Sequence, residues 1–255
     1  MLIAKLTQAQ KSIRRKSNVT SNYSGAKFDD LMASNEWNAN LQDLNRYIVD
    51  TLTRANEPPI LNGNLFYGHL VRDFHTLPLD ERFDQKRRNV FEVARRSTCM
   101  LEIGVNAGHS MLLALMANPE LKCIGIDVCQ KLNRRWARVD LYVPAAFNWL
   151  RYKFGDRVQL IKGNSLVEVP SFSLRNPDAV VDFLHLDGAK DTHMQEFLAI
   201  RRHMPAGAYV VHDDAHLRNV RIADRQLRRI RATAPLDYEA NGLQDCEHHV
   251  IRAKM

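Results

Sequence analysis

Two rhythms of hydrophobic and polar positions divide the chain. Over about the first 90 residues, apolar positions recur at helical spacing. Turn signals interrupt them: Ser and Asn around positions 17 to 24, Pro58-Pro59, Asn62-Gly63-Asn64, and Pro78. No strand-like run of consequence occurs there, so residues 1–90 are expected to form a mostly helical extension. It would have a mobile leader and end in a helix over about 82–96. From Thr98 onward, short aliphatic runs alternate with helical stretches, the pattern of βαβ units around a parallel sheet. Strands are expected at Cys99–Ile103, Cys123–Ile126, Val158–Lys162, Val180–Leu186 and Ala208–Val211. They lack clean alternation, as strands buried on both faces do. Helices are expected at Ser110–Ala117, Trp136–Phe154, Thr192–His203 and Leu217–Arg231. The fold class is therefore α/β: a Rossmann-like, doubly wound sheet over residues 91–255, preceded by the extension.

Composition narrows the picture only a little. At 255 residues, 45% apolar and 25% charged, the chain suits one catalytic core rather than two full-sized domains. No run is long and apolar enough for a membrane span, and the leader lacks the apolar segment and cleavage site of a secretory signal, so a cytoplasmic enzyme is expected. Four cysteines, Cys99, Cys123, Cys129 and Cys246, form no CxxC pair and read as reduced thiols. The net charge of +7 gathers in the leader (Lys5, Lys11, Arg14, Arg15, Lys16) and between Arg218 and Arg231. Neither cluster is interleaved with base-stacking aromatics, so solvated helix faces are the expectation and a nucleic-acid partner the alternative.

In open α/β sheets the ligand lies beyond the carboxyl ends of the strands, and those positions carry the chemistry here. After the first expected strand comes MLEIGVNAGHS, residues 100–110, where Gly104 and Gly108 bracket a tight turn into a helix. The spacing is GxxxG with Glu102 before it, a poor match to a pyrophosphate cradle. Asp127 ends the second strand, where a carboxylate can accept from both hydroxyls of a ribose or simply cap a turn. Gly163-Asn164-Ser165 follows the third strand and supplies small polar groups.

On these residues the chain resembles the class I S-adenosylmethionine-dependent methyltransferases, and within them the metal-dependent O-methyltransferases similar to catechol O-methyltransferase. The resemblance covers roughly residues 90–215. It implies that Glu102 and Ser110 contact the amino-acid portion of the donor, that Asp127 takes the ribose, and that Ser165 lies near the adenine. Gly104, Gly108 and Asp187 complete the expected donor site.

The fourth and fifth strands end in VDFLHLDGAKDTH, residues 181–193, and AYVVHDDAH, residues 208–216. Asp187, Asp213 and Asp214 thus converge at neighbouring strand ends, where their repulsion calls for a hard divalent cation such as Mg²⁺. The resembling family pairs Asp-x-x-Lys with a second acidic strand end, which implies that Lys190 is the general base. A dication and partial burial are both expected to lower its pKa.

The catechol enzyme carries an aromatic residue where this chain has Gly188-Ala189, so the acceptor is left as a small-molecule hydroxyl: a phenol or catechol, or a sugar diol. Bacterial sugar O-methyltransferases are an equally good precedent. His185 and His212 are read as structural, with direct catalysis as the alternative; His216 flanks the site and His109 is read as a turn residue near the donor. The extension is expected to cover the site or build a homodimer. Two rivals stand beside this reading: an RNA-directed methyltransferase using the basic segments, and a catalytically silent Rossmann-like binding protein. The second conflicts with the intact aspartates and Lys190, which a mere binder does not need.

Overall fold

The computed structural model describes residues 27–131 and 133–254; the basic leader lies outside the described residues. Helix α1 (Phe28–Ala33) turns into α2 (Asn35–Arg54) at Ser34, whose hydroxyl accepts from the Trp37 amide at 3.1 Å and so caps the first turn of α2. Trp37, Leu41, Leu44, Ile48 and Leu52 form one apolar stripe on α2, and all are buried. A two-residue pair, β1 (Ile60–Leu61) with β2 (Val71–Arg72), runs antiparallel where no strand was expected; it is too short to leave a periodicity. The expected helix over about 82–96 is a 3₁₀ turn at Glu81–Phe83 followed by α3, Asp84–Ala94.

The main sheet contains β3 (Cys99–Ile103), β4 (Lys122–Asp127), β5 (Val158–Lys162), β6 (Phe183–Leu186), β7 (Tyr209–His212), β8 (Thr233–Pro235) and β9 (His249–Ala253). Their order is β5-β4-β3-β6-β7-β9-β8. The first five are parallel to one another, while β9 runs antiparallel between β7 and β8. Helices α4 (His109–Ala117), α5 (Val139–Phe154), α6 (Ser165–Arg175), α7 (His193–Ile200) and α8 (Arg218–Arg229) connect them. The order reverses between β3 and β6, which is where a ligand crevice opens in such sheets. Residues 180–182 do not join β6; the Asp182 carboxylate instead accepts from the amides of Thr98 and Cys99 at 2.8–2.9 Å and anchors the start of β3.

Each face of the sheet has its own apolar core. Val169, Phe172, Phe197, Ile200 and Leu227 from α6, α7 and α8 fill one. On the other, Phe28, Trp37, Leu44 and Phe66 pack in one cluster with Met111, Tyr142 and Phe147, so the extension and the sheet share a core. Among the described residues, no helix is long and apolar enough to cross a membrane.

Candidate active site

A cavity of about 750 Å³ opens beyond the carboxyl ends of the parallel strands. Gly104, Asp127 and Gly163-Asn164-Ser165 line it on the side of β3, β4 and β5; Asp187, Lys190, Asp213 and Asp214 line it on the side of β6 and β7. Asn62, Asn64, His69, Phe83 and Lys86 reach it from the extension, which therefore forms one wall.

On the first side, the Asp127 carboxylate is fixed by backbone. Oδ2 accepts from the amides of Val105 at 2.9 Å and Asn106 at 3.3 Å, and Oδ1 accepts from that of Cys129 at 2.7 Å. The side chain thus ties the glycine turn to the end of β4, and it still borders the cavity. Gly104 has φ +81°, and a Cβ there would lie 2.7–2.8 Å from the backbone of Asp187 and Gly188. Only glycine permits that approach, which joins the two halves of the site at the point where the strand order reverses.

Glu102, Gly108 and Ser110 lie behind the wall rather than on it. Glu102 is fully buried, and its Oε1 accepts from Ser110 Oγ at 2.5 Å and faces His185 Nδ1 at 2.7 Å. Gly108 has φ +71° and packs beneath Leu150. Ser165 lines the cavity, but its hydroxyl donates to Glu196 Oε1 at 2.6 Å. His109 is a bridge: one ring nitrogen faces Asn64 Nδ2 at 2.8 Å and the other Asn45 Oδ1 at 2.7 Å. Burial pushes its pKa down to about 3, so the ring is neutral, accepting from Asn64 and donating to Asn45.

On the other side, oxygens of Asp187, Asp213 and Asp214 lie within 4.8 Å of one another. Lys190 Nζ is 2.8 Å from Asp187, 3.2 Å from Asp214 and 4.0 Å from Asp213. A second lysine, not expected from the sequence, enters from α3. The Lys86 ammonium, almost wholly buried, lies 2.6 Å from Asp213, 3.1 Å from Glu247 and 3.5 Å from Asp214. Its signal in the sequence is its spacing: Lys86 stands four and seven residues before Val90 and Val93, on the apolar face of α3, where a charge is out of place.

Burial and the facing Asp213 push the Asp187 carboxyl well above its ordinary range. Burial acts on Asp213 in the same direction, but the adjacent His248 and Lys86 hold it well below. Lys190 departs from expectation. Burial alone would lower its pKa, but the charges of Asp187, Asp213 and Asp214 outweigh burial and raise it. The all-oxygen donor set of Asp187, Asp213 and Asp214 fits a hard divalent cation.

The histidines of the strand ends stand outside the cavity. His185 is paired with Glu102, which raises its pKa against the opposing effect of burial. His212 and His193 face each other at 3.1 Å, and burial depresses both. His216 is exposed, 3.4 Å from Glu247.

Residues 101–215 match the family described as a methyltransferase domain. No curated protein matches the chain. Solved structures of the same fold include the Bacillus cereus O-methyltransferase in complex with S-adenosylhomocysteine, at 12% identity and TM-score 0.54 over 83% of this chain and 91% of that one. The S-adenosylhomocysteine-bound Podospora anserina methyltransferase PaMTH1 superposes at 16% identity and TM-score 0.54, over 83% of this chain and 88% of its own. The apo structure of CalS11, a TDP-rhamnose 3'-O-methyltransferase of calicheamicin biosynthesis, superposes at 16% identity and TM-score 0.51, over 86% and 95%. The matched domain over residues 101–215 and the strand order give the chain the α/β, Rossmann-like methyltransferase fold of these structures.

Proposed function

We propose that the chain transfers a methyl group from S-adenosylmethionine to a hydroxyl oxygen of a small molecule, with Lys190 as proton acceptor. The observation that carries this reading is the convergence of Asp187, Lys190, Asp213 and Asp214 at one end of a cavity whose other end holds Asp127. In this reading Asp127, fixed by three amides, would accept from the ribose hydroxyls of the donor. Lys190 would take the proton of the acceptor hydroxyl. The freed oxygen then attacks the methyl carbon in line, and the sulfonium leaves as a neutral thioether. Holding both reactants in one cavity removes most of the entropic cost of their encounter. Asp187, Asp213 and Asp214 would hold a divalent cation, Mg²⁺ by their chemistry, and when bound it supplies Lewis acidity and a template for the acceptor oxygen. With that carboxylate charge taken up, Lys190 would lose the effect that raises its pKa and could accept the proton as the free amine. Phenols, catechols and sugar diols are the acceptor classes that suit such a centre.

Calorimetry with S-adenosylhomocysteine, followed by transfer of labelled methyl to a panel of catechols and sugar diols, tests the reading. Turnover is expected with Mg²⁺ and is expected to vanish on chelation while donor binding persists. Full activity after exhaustive chelation would remove the cation from the mechanism.

A further inference from the structure

Helix α8 departs from the rules that stabilise helices. Its first turn has no acidic residue and no capping side chain, while Arg218 and Arg221 stand at the positive end of the helix dipole. Arg218, Arg221, Arg225 and Arg228 recur at intervals of three, four and three, so they share a face on which like charges repel. Such local conflicts concentrate where function requires them.

These four arginines line a second cavity, of about 780 Å³. Arg228 is paired with Asp224. Arg218, Arg221 and Arg225 have no carboxylate within ion-pair distance among the described residues. The acids that also face this cavity are Asp224, Asp245 and Glu247. Glu247 is engaged by Lys86 at 3.1 Å and His216 at 3.4 Å, and Asp245 is exposed. The groove therefore keeps uncompensated guanidinium groups beside the free amides of a helix N-terminus, a combination that suits phosphate.

Its position links it to the active site. Arg218 follows Asp214 by four residues, across a turn in which the Leu217 amide donates to the Asp214 carbonyl at 2.8 Å. Glu247 lies between the two cavities, touching Lys86 on one side and lining the groove on the other. From Arg218 the stripe runs on for roughly 15 Å at the ordinary helical rise.

We propose that this groove binds the phosphate groups of a phosphorylated acceptor, whose hydroxyl reaches the Asp187, Asp213 and Asp214 cluster. The acceptor assignment rests on the O-methyl transfer proposed above; the phosphate site itself rests on the arginines. No Phe, Tyr or Trp among the described residues lines the groove, so it lacks the large stacking platforms of a single-stranded nucleic-acid surface.

Inorganic pyrophosphate, titrated by calorimetry at low salt, is the probe, with S-adenosylhomocysteine titrated in parallel. The wild type is expected to bind both. Changing Arg221→Ala and Arg225→Ala together should weaken pyrophosphate by about tenfold or more, as lost charge-assisted contacts do, and leave donor affinity unchanged. Both side chains are exposed, so the fold should survive, and the corresponding double lysine variant should keep part of the affinity. Absence of pyrophosphate binding to the wild type, or equal binding to the double alanine variant, overturns the site. So does tight binding of a single-stranded RNA that pyrophosphate fails to displace. Pyrophosphate binding without any donor binding would instead sink the methyl-transfer reading and, with it, the acceptor assignment.

Discussion

Replacing Lys86 with methionine isolates the one feature of the acidic cluster that comes from the extension. The side chain is 6% exposed and touches Asp213, itself 12% exposed, at 2.6 Å. Its other partners, Asp214 and Glu247, are 31% and 49% exposed, so water screens those pairs and they contribute little. The cost is therefore set by Asp213. Breaking a buried pair while leaving one charge behind costs about 3–5 kcal/mol. The lower end, about 3 kcal/mol, applies because Lys190 at 4.0 Å and His248 at 3.1 Å still face Asp213. Methionine keeps the length of the side chain and most of its packing. Urea unfolding in EDTA should show the full loss. In Mg²⁺ the gap should narrow, because the variant cluster, one positive charge poorer, binds a dication more tightly. The wild type is stabilised too, so at saturating Mg²⁺ the gap narrows only by the difference in affinity, about 1.4 kcal/mol for a tenfold tighter site. A variant within about 0.5 kcal/mol of wild type in EDTA would show that the buried pair does not support the fold. Stabilities of both proteins that ignore Mg²⁺ would show that these carboxylates do not take the cation.

Three further outcomes are expected. Asp127→Asn should weaken S-adenosylhomocysteine binding by about 1.5–3 kcal/mol in calorimetry, the worth of a charged hydrogen-bond acceptor, and an unchanged affinity would place the ribose elsewhere. Lys190→Ala should leave donor affinity intact but slow single-turnover methyl transfer by about 10²–10⁴, the usual contribution of a general base; an unchanged rate would return Lys190 to a structural role. Acid should destabilise the fold through His109, whose pKa is pushed down to about 3 by burial. The unfolded ring takes up a proton near pH 6.5 and the folded ring does not, so stability is present above about pH 6.5 and falls below it by about 1.4 kcal/mol per unit. At pH 5 the loss from this residue is about 2 kcal/mol, and His109→Gln should flatten the slope measured by urea unfolding.

What the sequence made legible, and what it hid, follows from the range of the interactions. The central parallel strands were readable because each is a short aliphatic run buried on both faces, and β3 and β5 end where the pattern ends. Asp187, Lys190, Asp213 and Asp214 were readable because the rule that places ligands at strand ends puts them at one edge. Helix α6 was hidden by Pro170 in its interior, which reads as a break, and β8 and β9 were hidden because three- and five-residue antiparallel strands leave little pattern. Glu102 and Ser110 stand at the expected positions, but the sequence could not show that they turn to each other behind the cavity wall. Lys86 could not be assigned to the site at all, since it meets Asp213 across 127 residues of chain.

The pairing of His109 with Asn45 and Asn64 bears on how such a protein can diversify. The imidazole opens α4, and its two amide partners belong to the extension that forms one wall of the cavity. Swapping the extension for one without Asn45 and Asn64 would strand a buried neutral imidazole without partners. Successful exchanges should therefore carry the three positions together as one heritable unit. Lineages that lose the pairing should show a coordinated apolar replacement at position 109 rather than drift at each site alone.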